Sequence, residues 1–194
     1  MSARVTVIQQ TSPLFTALLA AWLLGEPLRA RVLVSIGVCL VGVLVIARPE
    51  SLFGIGLAPA FPWQFAFVGV LGALLSALAY VTVRTLGQRH PPILVVFWFP
   101  VVTVPLSAPF AIAQWQPLDA TGVWLLLGIG VVTQFGQLAL TRGLSREPAG
   151  RATLVGYLQI AFATLFGAAA FGAIPDLWGW AGMALVLVGL LYGV

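Results

Sequence analysis

Seven apolar runs, each about long enough to cross a bilayer, dominate this sequence. A hydrocarbon core of ~30 Å is crossed by roughly 20 helical residues. In lipid every backbone group must be satisfied internally, which leaves only helices or a closed barrel. Barrel strands alternate in polarity over ~10 residues, and the run 32–46 does not alternate. We therefore predict an all-α membrane protein with seven transmembrane helices, at 3–25, 31–47, 64–86, 92–113, 121–141, 151–173 and 178–194.

The composition argues against both a soluble protein and a nucleic-acid binder. Hydrophobic residues make up 61% of the chain and charged residues only 7%, whereas a soluble domain keeps a polar exterior. The nine cations are all arginines and lie in short gaps between apolar runs. A nucleic-acid binder would instead cluster them on one polar face. The expected surroundings are the lipid bilayer, with no nucleic-acid partner.

The arginines also predict an orientation, because cytoplasmic loops carry an excess of Arg and Lys. The gaps 26–31, 84–91 and 142–151 hold seven arginines, whereas the opposite side holds only Arg4 and Arg48. We therefore expect these three gaps and the C-terminus to lie in the cytoplasm.

The stretch 9–26 has a second copy near the C-terminus. A shift of 147 residues places Gly25 on Gly172, and carries the run 40–42 onto the identical Leu-Val-Gly run at 187–189. Such a repeat constrains the architecture before any single helix is assigned. In membrane proteins, repeated helix bundles are typical of transporters.

The two copies are predicted to be inverted. The link after the first copy carries Arg29 and Arg31, whereas the link after the second carries Asp176 and no cation. Opposite orientations require an odd number of helices per repeat, and counting the spans gives five. We expect 1–47 to hold the last two helices of a first repeat, 48–63 a connector, and 64–194 a complete second repeat. On this count three helices precede Met1.

The residues of both copies resemble a known family. Thr11–Glu50 reads TSPLFTALLAAWLLGEPLRARVLVSIGVCLVGVLVIARPE, with a Pro in a polar helix start, Gly25-Glu26 at the helix end, a basic link and a Gly-punctuated helix. This stretch is similar to the end of the first repeat of EamA-like transporters, in the drug/metabolite transporter superfamily. The segments GQLALTRGL at 136–144 and YLQIAFATLFG at 157–167 resemble that family's second repeat.

The resemblance implies ten helices in two inverted five-helix repeats, around a central cavity for small metabolites. It also implies a multi-pass protein of a bacterial cytoplasmic (inner) membrane. One departure concerns the position after Gly172, where the family usually has a glutamate and this sequence has Ala173. We interpret the first-copy residue, Glu26, as a helix-end residue tied to the basic link.

Uncharged polar residues are the candidates for a substrate site. All fourteen charged side chains lie at or near span ends, so no mid-membrane ionisable group marks a site or an ion-coupling residue. Polar residues in membrane helices most often bond a neighbouring helix, but a site near a pseudo-twofold axis would draw on both repeats. The candidate substrate-binding residues are Gln10, Thr11, Ser76, Tyr80, Gln134, Gln137, Tyr157 and Gln159.

Three prolines are predicted to break or bend their helices. Pro13, Pro100 and Pro105 each lack the N–H that an unbroken helix would use. Such breaks would provide hinges for rocking motions.

The leading hypothesis is alternating-access transport of a small organic solute such as an amino acid, a nucleobase or a drug-like compound. A non-transporting fragment, or a half-transporter that needs a partner, stays open as an alternative. An intramembrane enzyme is less favoured, because the sequence lacks Lys, a second His, an HExxH motif and an Asp inside a span. We expect no catalytic residue, metal or cofactor, and the sequence is compatible with a homo-oligomer.

Overall fold

The structure, a computed structural model, describes residues 8–47, 63–117 and 119–194, and most of these residues lie in helices. One turn of 3₁₀ helix, Val155–Tyr157, separates the sixth helix from the seventh. No strand occurs in the described part of the chain. The helices are α1 (Ser12–Leu24), α2 (Ala30–Ala47), α3 (Trp63–Arg89), α4 (Pro92–Ala113), α5 (Ala120–Arg146), α6 (Ala149–Leu154), α7 (Leu158–Phe171) and α8 (Leu177–Gly193).

Five helical segments are long and apolar enough to span a membrane: α2, α3, α4, α5, and α6 together with α7. The other two, α1 and α8, are apolar but have only 13 and 17 residues. The prediction of an all-helical, multi-pass membrane protein is confirmed. The described helices also extend further than the apolar runs in two places, because α3 continues to Arg89 and α5 to Arg146.

Helix ends follow local sequence signals. The carboxylates of Asp119 and Asp176 accept hydrogen bonds from the amides of Gly122 at 2.9 Å and Gly179 at 3.0 Å. These are side-chain caps of the first turns of α5 and α8. At such a position the negative charge is also favoured by the positive end of the helix dipole.

Gly25 and Gly172, which the sequence shift pairs, end α1 and α7 in the same way. Both adopt the left-handed conformation, with φ of 65° and 66°. The amide after each glycine bonds a carbonyl six residues earlier: residue 26 to Ala20 at 3.4 Å, and residue 173 to Gly167 at 3.3 Å. A left-handed residue after the last turn is a common helix end, and it favours glycine because glycine has no Cβ.

The described residues fall into two compact units. The first contains 8–47, 63–81 and 148–194, and the second contains 82–117 and 119–147.

In the first unit, α2 and α8 run antiparallel with their backbones almost touching. A Cβ added at Gly42 would lie 2.7 Å from the carbonyl oxygen of Gly182, and one added at Gly189 would lie 2.8 Å from Sγ of Cys39. Small residues permit this approach, which is a common packing mode in membranes. The buried core around the contact comprises Ala17, Val32, Ile36, Cys39, Val43, Leu154, Tyr157, Val186 and Leu190.

In the second unit, α4 packs on α5, and the end of α3 is fastened to the end of α5. The guanidinium of Arg84 is buried and donates to the carbonyl oxygen of Leu144 at 2.7 Å. That carbonyl lies in the last turn of α5, where oxygens lack helical partners and a cation is favoured by the helix dipole. The sequence predicts Arg84 in the gap 84–91, whereas the structure places it within α3, where its side chain is buried.

Candidate functional site

Two helix interruptions meet inside the first unit. Before α1, the chain makes a turn at Gln10 and Thr11. In an unbroken helix the carbonyl of Gln10 would accept from the amide of Leu14. Here that amide bonds Thr11 instead, at 3.0 Å, which frees the carbonyl of Gln10. The phenol of Tyr157 donates to it at 2.7 Å.

Tyr157 lies at the second interruption, the 3₁₀ turn between α6 and α7. Its side chain is only 1% exposed, and its hydrogen bond to Gln10, which is half-buried, is partly buried. The side-chain amide of Gln159, two residues further along the chain, donates to the side-chain oxygen of Gln10 at 3.4 Å. The two broken helices therefore contact each other through a partly buried hydrogen bond and, beside it, an exposed pair of amide groups.

Three of the candidate residues, Gln10, Tyr157 and Gln159, thus come together, with Thr11 next to them in the chain. The hydroxyl of Thr11 donates to the carbonyl of Ile8. A Cβ added at Gly69 would lie 3.0 Å from Cγ2 of Ile8. This contact brings α3 close to the start of α1.

The remaining candidates lie on α3 and α5. Ser76 and Tyr80 are half-buried on α3, Gln137 is half-buried on α5, and Gln134 is exposed. Their membership of one site with Gln10 stays a prediction.

The prolines occupy two kinds of position. Pro13 lies in the first turn of α1, directly after the interruption at residues 10 and 11. A missing N–H costs little there, because first-turn amides have no helical acceptor. Pro100 and Pro105 lie inside α4, which continues through both. Their role as hinges stays a prediction.

Glu26 makes a connection that the sequence did not predict. Its Oε2 accepts a hydrogen bond from the amide of Ala149 at 2.8 Å, across 123 residues of sequence. Ala149 is the first residue of α6 and follows Pro148, so its amide is one of those without a helical acceptor. We had interpreted Glu26 only through its own basic link, but it also fastens the end of α1 to the start of α6. The sequence Glu147-Pro148 indicates that a helix begins directly after it, and the first amides of a helix need acceptors from outside the helix.

The polar groups of this region offer no metal site. Among the described residues, no group of three or more His, Cys, Asp or Glu side chains is arranged to hold a metal ion. What the meeting point of the two interruptions provides is hydrogen-bond donors and acceptors without formal charge.

Comparison with known proteins identifies the family. The sequence model of the EamA-like transporter family matches residues 1–48 and 63–192. The chain belongs to the EamA-like transporter family. The resemblance described from the sequence is therefore confirmed.

Individual relatives agree with this assignment. The pseudopaline exporter CntI of Pseudomonas aeruginosa is 32% identical over 187 residues, covering 96% of this chain and 63% of that protein. The probable transport protein YPL264C of Saccharomyces cerevisiae is 28% identical, covering 91% and 55%. Mouse solute carrier family 35 member G1 is 26% identical, covering 96% and 53%. The chain thus spans less than two thirds of the length of these relatives.

A solved crystal structure has a similar fold. It matches with a TM-score of 0.76 at 21% identity, over 100% of this chain and 67% of that one. At this identity the match speaks for the fold alone.

Proposed function

We propose that this chain forms part of a membrane transporter that moves a small organic solute by alternating access, without covalent chemistry. The observation that carries the proposal is the hydrogen bond from Tyr157 to the freed carbonyl of Gln10, which joins two interrupted helices. In transporters built from repeats, substrate sites form where discontinuous helices meet near the middle of the membrane. Membership of the EamA-like transporter family supports the same activity.

We further propose the inverted five-helix repeat, with 1–47 and 64–194 as its parts. Two hydrogen bonds support it because each joins residues 147 apart, the same separation as the sequence shift. They are the bond from Tyr157 to Gln10 at 2.7 Å and the bond from Cys39 Sγ to the carbonyl of Val186 at 3.5 Å. Residues related by a twofold rotation can touch each other only beside its axis. Both bonds are therefore expected to mark that axis.

The glycine contacts between α2 and α8 support the same symmetry. The shift of 147 converts Gly42 to Gly189 and Cys39 to Val186. A Cβ at Gly42 would meet Val186 at 2.8 Å, and one at Gly189 would meet Cys39 at 2.8 Å. Each contact is thus the image of the other, as a pseudo-twofold axis between antiparallel helices requires.

The chemistry of the proposed site limits the solute. Gln10 and Gln159 offer amide donors and acceptors, and the oxygen of Tyr157 can still accept a hydrogen bond. With no formal charge among them, these groups suit a neutral or zwitterionic polar molecule, such as an amino acid or a nucleobase. The relative whose name is pseudopaline exporter supports an organic metabolite as the class of cargo.

We propose the orientation predicted from the arginines, with the C-terminus in the cytoplasm and the protein in a bacterial inner membrane. In the first unit, Arg31 donates to the carbonyl of Tyr192, and Arg151 donates to the carbonyl of Val194 at 2.6 Å. Arginines from two predicted cytoplasmic links therefore lie at the C-terminal end of α8. This grouping supports placing both links and the C-terminus on one side.

The experiment is solute counterflow in liposomes containing the purified protein, screened with labelled amino acids and nucleobases. Tyr157→Phe removes one hydroxyl and should reduce transport of any active solute at unchanged protein abundance. Tyr192→Phe is the matched control, because Tyr192 is exposed at the end of α8, and it should retain activity. Full transport by Tyr157→Phe would contradict the proposed site.

The alternative is a half-transporter that needs a second polypeptide. The observation behind it is that this chain covers only 63% of the length of the exporter relative. The chain reconstituted alone would then show no counterflow with any solute. Restoration of counterflow by co-reconstituting a polypeptide with the three additional predicted helices would support this alternative.

A further inference from the structure

The side-chain amides of Gln10 and Gln159 form an incomplete pair beside the contact of Tyr157 with Gln10. Nε2 of Gln159 donates to Oε1 of Gln10 at 3.4 Å. The return bond of a closed amide pair, from Nε2 of Gln10 to Oε1 of Gln159, is not formed, and neither group bonds another described residue. The pair therefore presents one donor group and one acceptor group side by side, without formal charge.

The face of α7 that carries Gln159 continues into two aromatic rings. Gln159, Phe162 and Phe166 lie at spacings of three and four residues, which places them on one side of a helix. The rings of Phe162 and Phe166 stack with their centroids 6.2 Å apart, and Phe162 is 53% exposed. We call the surface made by Gln10, Gln159, Phe162 and Phe166 the amide–aromatic face.

The position of this face favours a polar space over lipid. Gln159 is exposed and lies near the middle of the apolar segment Ala149–Phe171, which is long enough to span a membrane. A carboxamide facing hydrocarbon is costly because its hydrogen-bonding groups find no partner there. Phe162 shares the side of Gln159, so its ring is expected to line the same space. Binding pockets have this composition, with largely apolar and aromatic walls and a few placed polar groups.

The amide pair matches a ligand that carries a carbonyl and an N–H on adjacent atoms, as the lactam edge of a nucleobase does. The ligand carbonyl would accept from Nε2 of Gln10, and the ligand N–H would donate to Oε1 of Gln159. A carboxylate fits less well, because it has only acceptors and would place an oxygen against Oε1 of Gln159. A flat ring held by its lactam edge can also stack on the ring of Phe162.

We propose that the amide–aromatic face binds the lactam edge of a nucleobase, with Gln10 and Gln159 bonding the edge and Phe162 stacking on the ring. This assignment rests on the proposed transport function, and it narrows the solute from neutral or zwitterionic molecules to nucleobases. The side chains set the specificity, whereas the backbone carbonyl of Gln10 holds Tyr157. A change of the Gln10 side chain therefore leaves the contact with Tyr157 in place.

Equilibrium binding to the purified protein in detergent tests the base site separately from transport. The probes are labelled uracil, a small nucleobase with a lactam edge, and labelled phenylalanine, an aromatic amino acid. Uracil should bind more tightly than phenylalanine. Unlabelled 1,3-dimethyluracil keeps both carbonyls but has no N–H, so it should compete about fivefold less well than unlabelled uracil, as expected for one lost hydrogen bond.

Variants of the amide pair should weaken the binding of uracil. Gln10→Leu and Gln159→Leu each remove one amide, and each should weaken binding about fivefold at an unchanged unfolding temperature. Gln9→Leu is the matched control, because Gln9 is an exposed glutamine directly before Gln10. It should bind uracil like the original protein.

The stacking ring has its own matched pair of variants. Phe162→Ala should weaken the binding of uracil about tenfold. Phe171→Ala is the control, because Phe171 is 87% exposed at the end of α7. It lies about two and a half turns beyond Phe162, on the opposite side of the helix, and its replacement should leave the binding of uracil unchanged.

The outcomes separate the base site from transport. Tighter binding of phenylalanine than of uracil, or equal losses in Gln159→Leu and Gln9→Leu, would overturn the base site. Absence of uracil binding while an amino acid shows counterflow would also overturn it, and would leave the proposed transport function in place. Uracil binding that depends on Gln159, without counterflow of uracil, would support the base site and contradict transport by this chain.

Discussion

Gly42 lies where the backbones of α2 and α8 come closest, and replacing it with alanine tests the whole contact. The added Cβ would lie 2.7 Å from the carbonyl oxygen of Gly182, which is about 0.6 Å inside the ordinary C···O separation of about 3.3 Å. A backbone carbonyl cannot rotate away as a side chain can, so the helices must separate. A gap of 0.5–1 Å forfeits about a quarter to a half of each dispersion contact. We expect a loss of about 1–3 kcal/mol in the free energy of unfolding, as for other overpacked cores.

The control for this prediction is Gly37→Ala on the same helix. Gly37 is exposed, and a Cβ there would meet nothing within 4 Å. Both variants gain the same helix propensity from replacing glycine, so their difference isolates the contact. Unfolding in mixed detergent micelles, followed by tryptophan fluorescence, should show Gly42→Ala unfolding earlier than Gly37→Ala. Equal stability of the two variants would refute the close approach of α2 and α8.

Three further changes test the helix ends. Glu26→Ala removes the acceptor of the Ala149 amide and should lower the free energy of unfolding by about 1 kcal/mol. Amide hydrogen exchange at the start of α6 should become faster, and unchanged exchange would contradict this cap. Arg84→Ala leaves the buried carbonyl of Leu144 without its cation and should lower stability by about 1–3 kcal/mol; an unchanged melting temperature would show that the buried bond is not needed. Gly172→Ala forces a residue with a Cβ into φ of 66° and should cost about 1–2 kcal/mol, whereas no loss in thermal unfolding would speak against the left-handed cap.

The fold was largely predictable because helix formation in lipid depends on local apolar length. The paired glycines Gly25 and Gly172 were found by the sequence shift, and their common left-handed conformation agrees with that pairing. Long-range partners were not predictable in this way. The hydrogen bond that the amide of Ala149 donates to Glu26 spans 123 residues of sequence. This amide lies at a helix start and has no acceptor within its own helix. The carboxylate reaches it only when the helices pack.

The candidate site was predictable in part. Gln10 and Tyr157 were grouped because the shift pairs them and both are polar. The sequence did not show that the hydroxyl of Tyr157 donates to the backbone carbonyl of Gln10. The carbonyl of Gln10 is available to Tyr157 because the amide of Leu14 donates to the carbonyl of Thr11 instead. The burial of Arg84 was not predictable either, because its partner is the backbone carbonyl of Leu144. Every residue has such a carbonyl, so the sequence does not indicate which one an arginine will bind.

The contact of Tyr157 with Gln10 and the contact of Glu26 with Ala149 are expected to have different roles in the proposed transport cycle. Only the first joins residues that the shift of 147 pairs. If two inverted repeats exchange conformations, a contact between shift-related residues is converted into itself, as for Tyr157 with Gln10. Such a contact can persist in both states and serve as the pivot. The bond of Glu26 to Ala149 has no such image, because the position equivalent to Glu26 is Ala173, which has no carboxylate. If the proposed cycle operates, the junction at Glu26 would stabilise one state without an equal counterpart in the other, and Glu26→Ala would shift the equilibrium between the two states while the contact of Tyr157 with Gln10 remains.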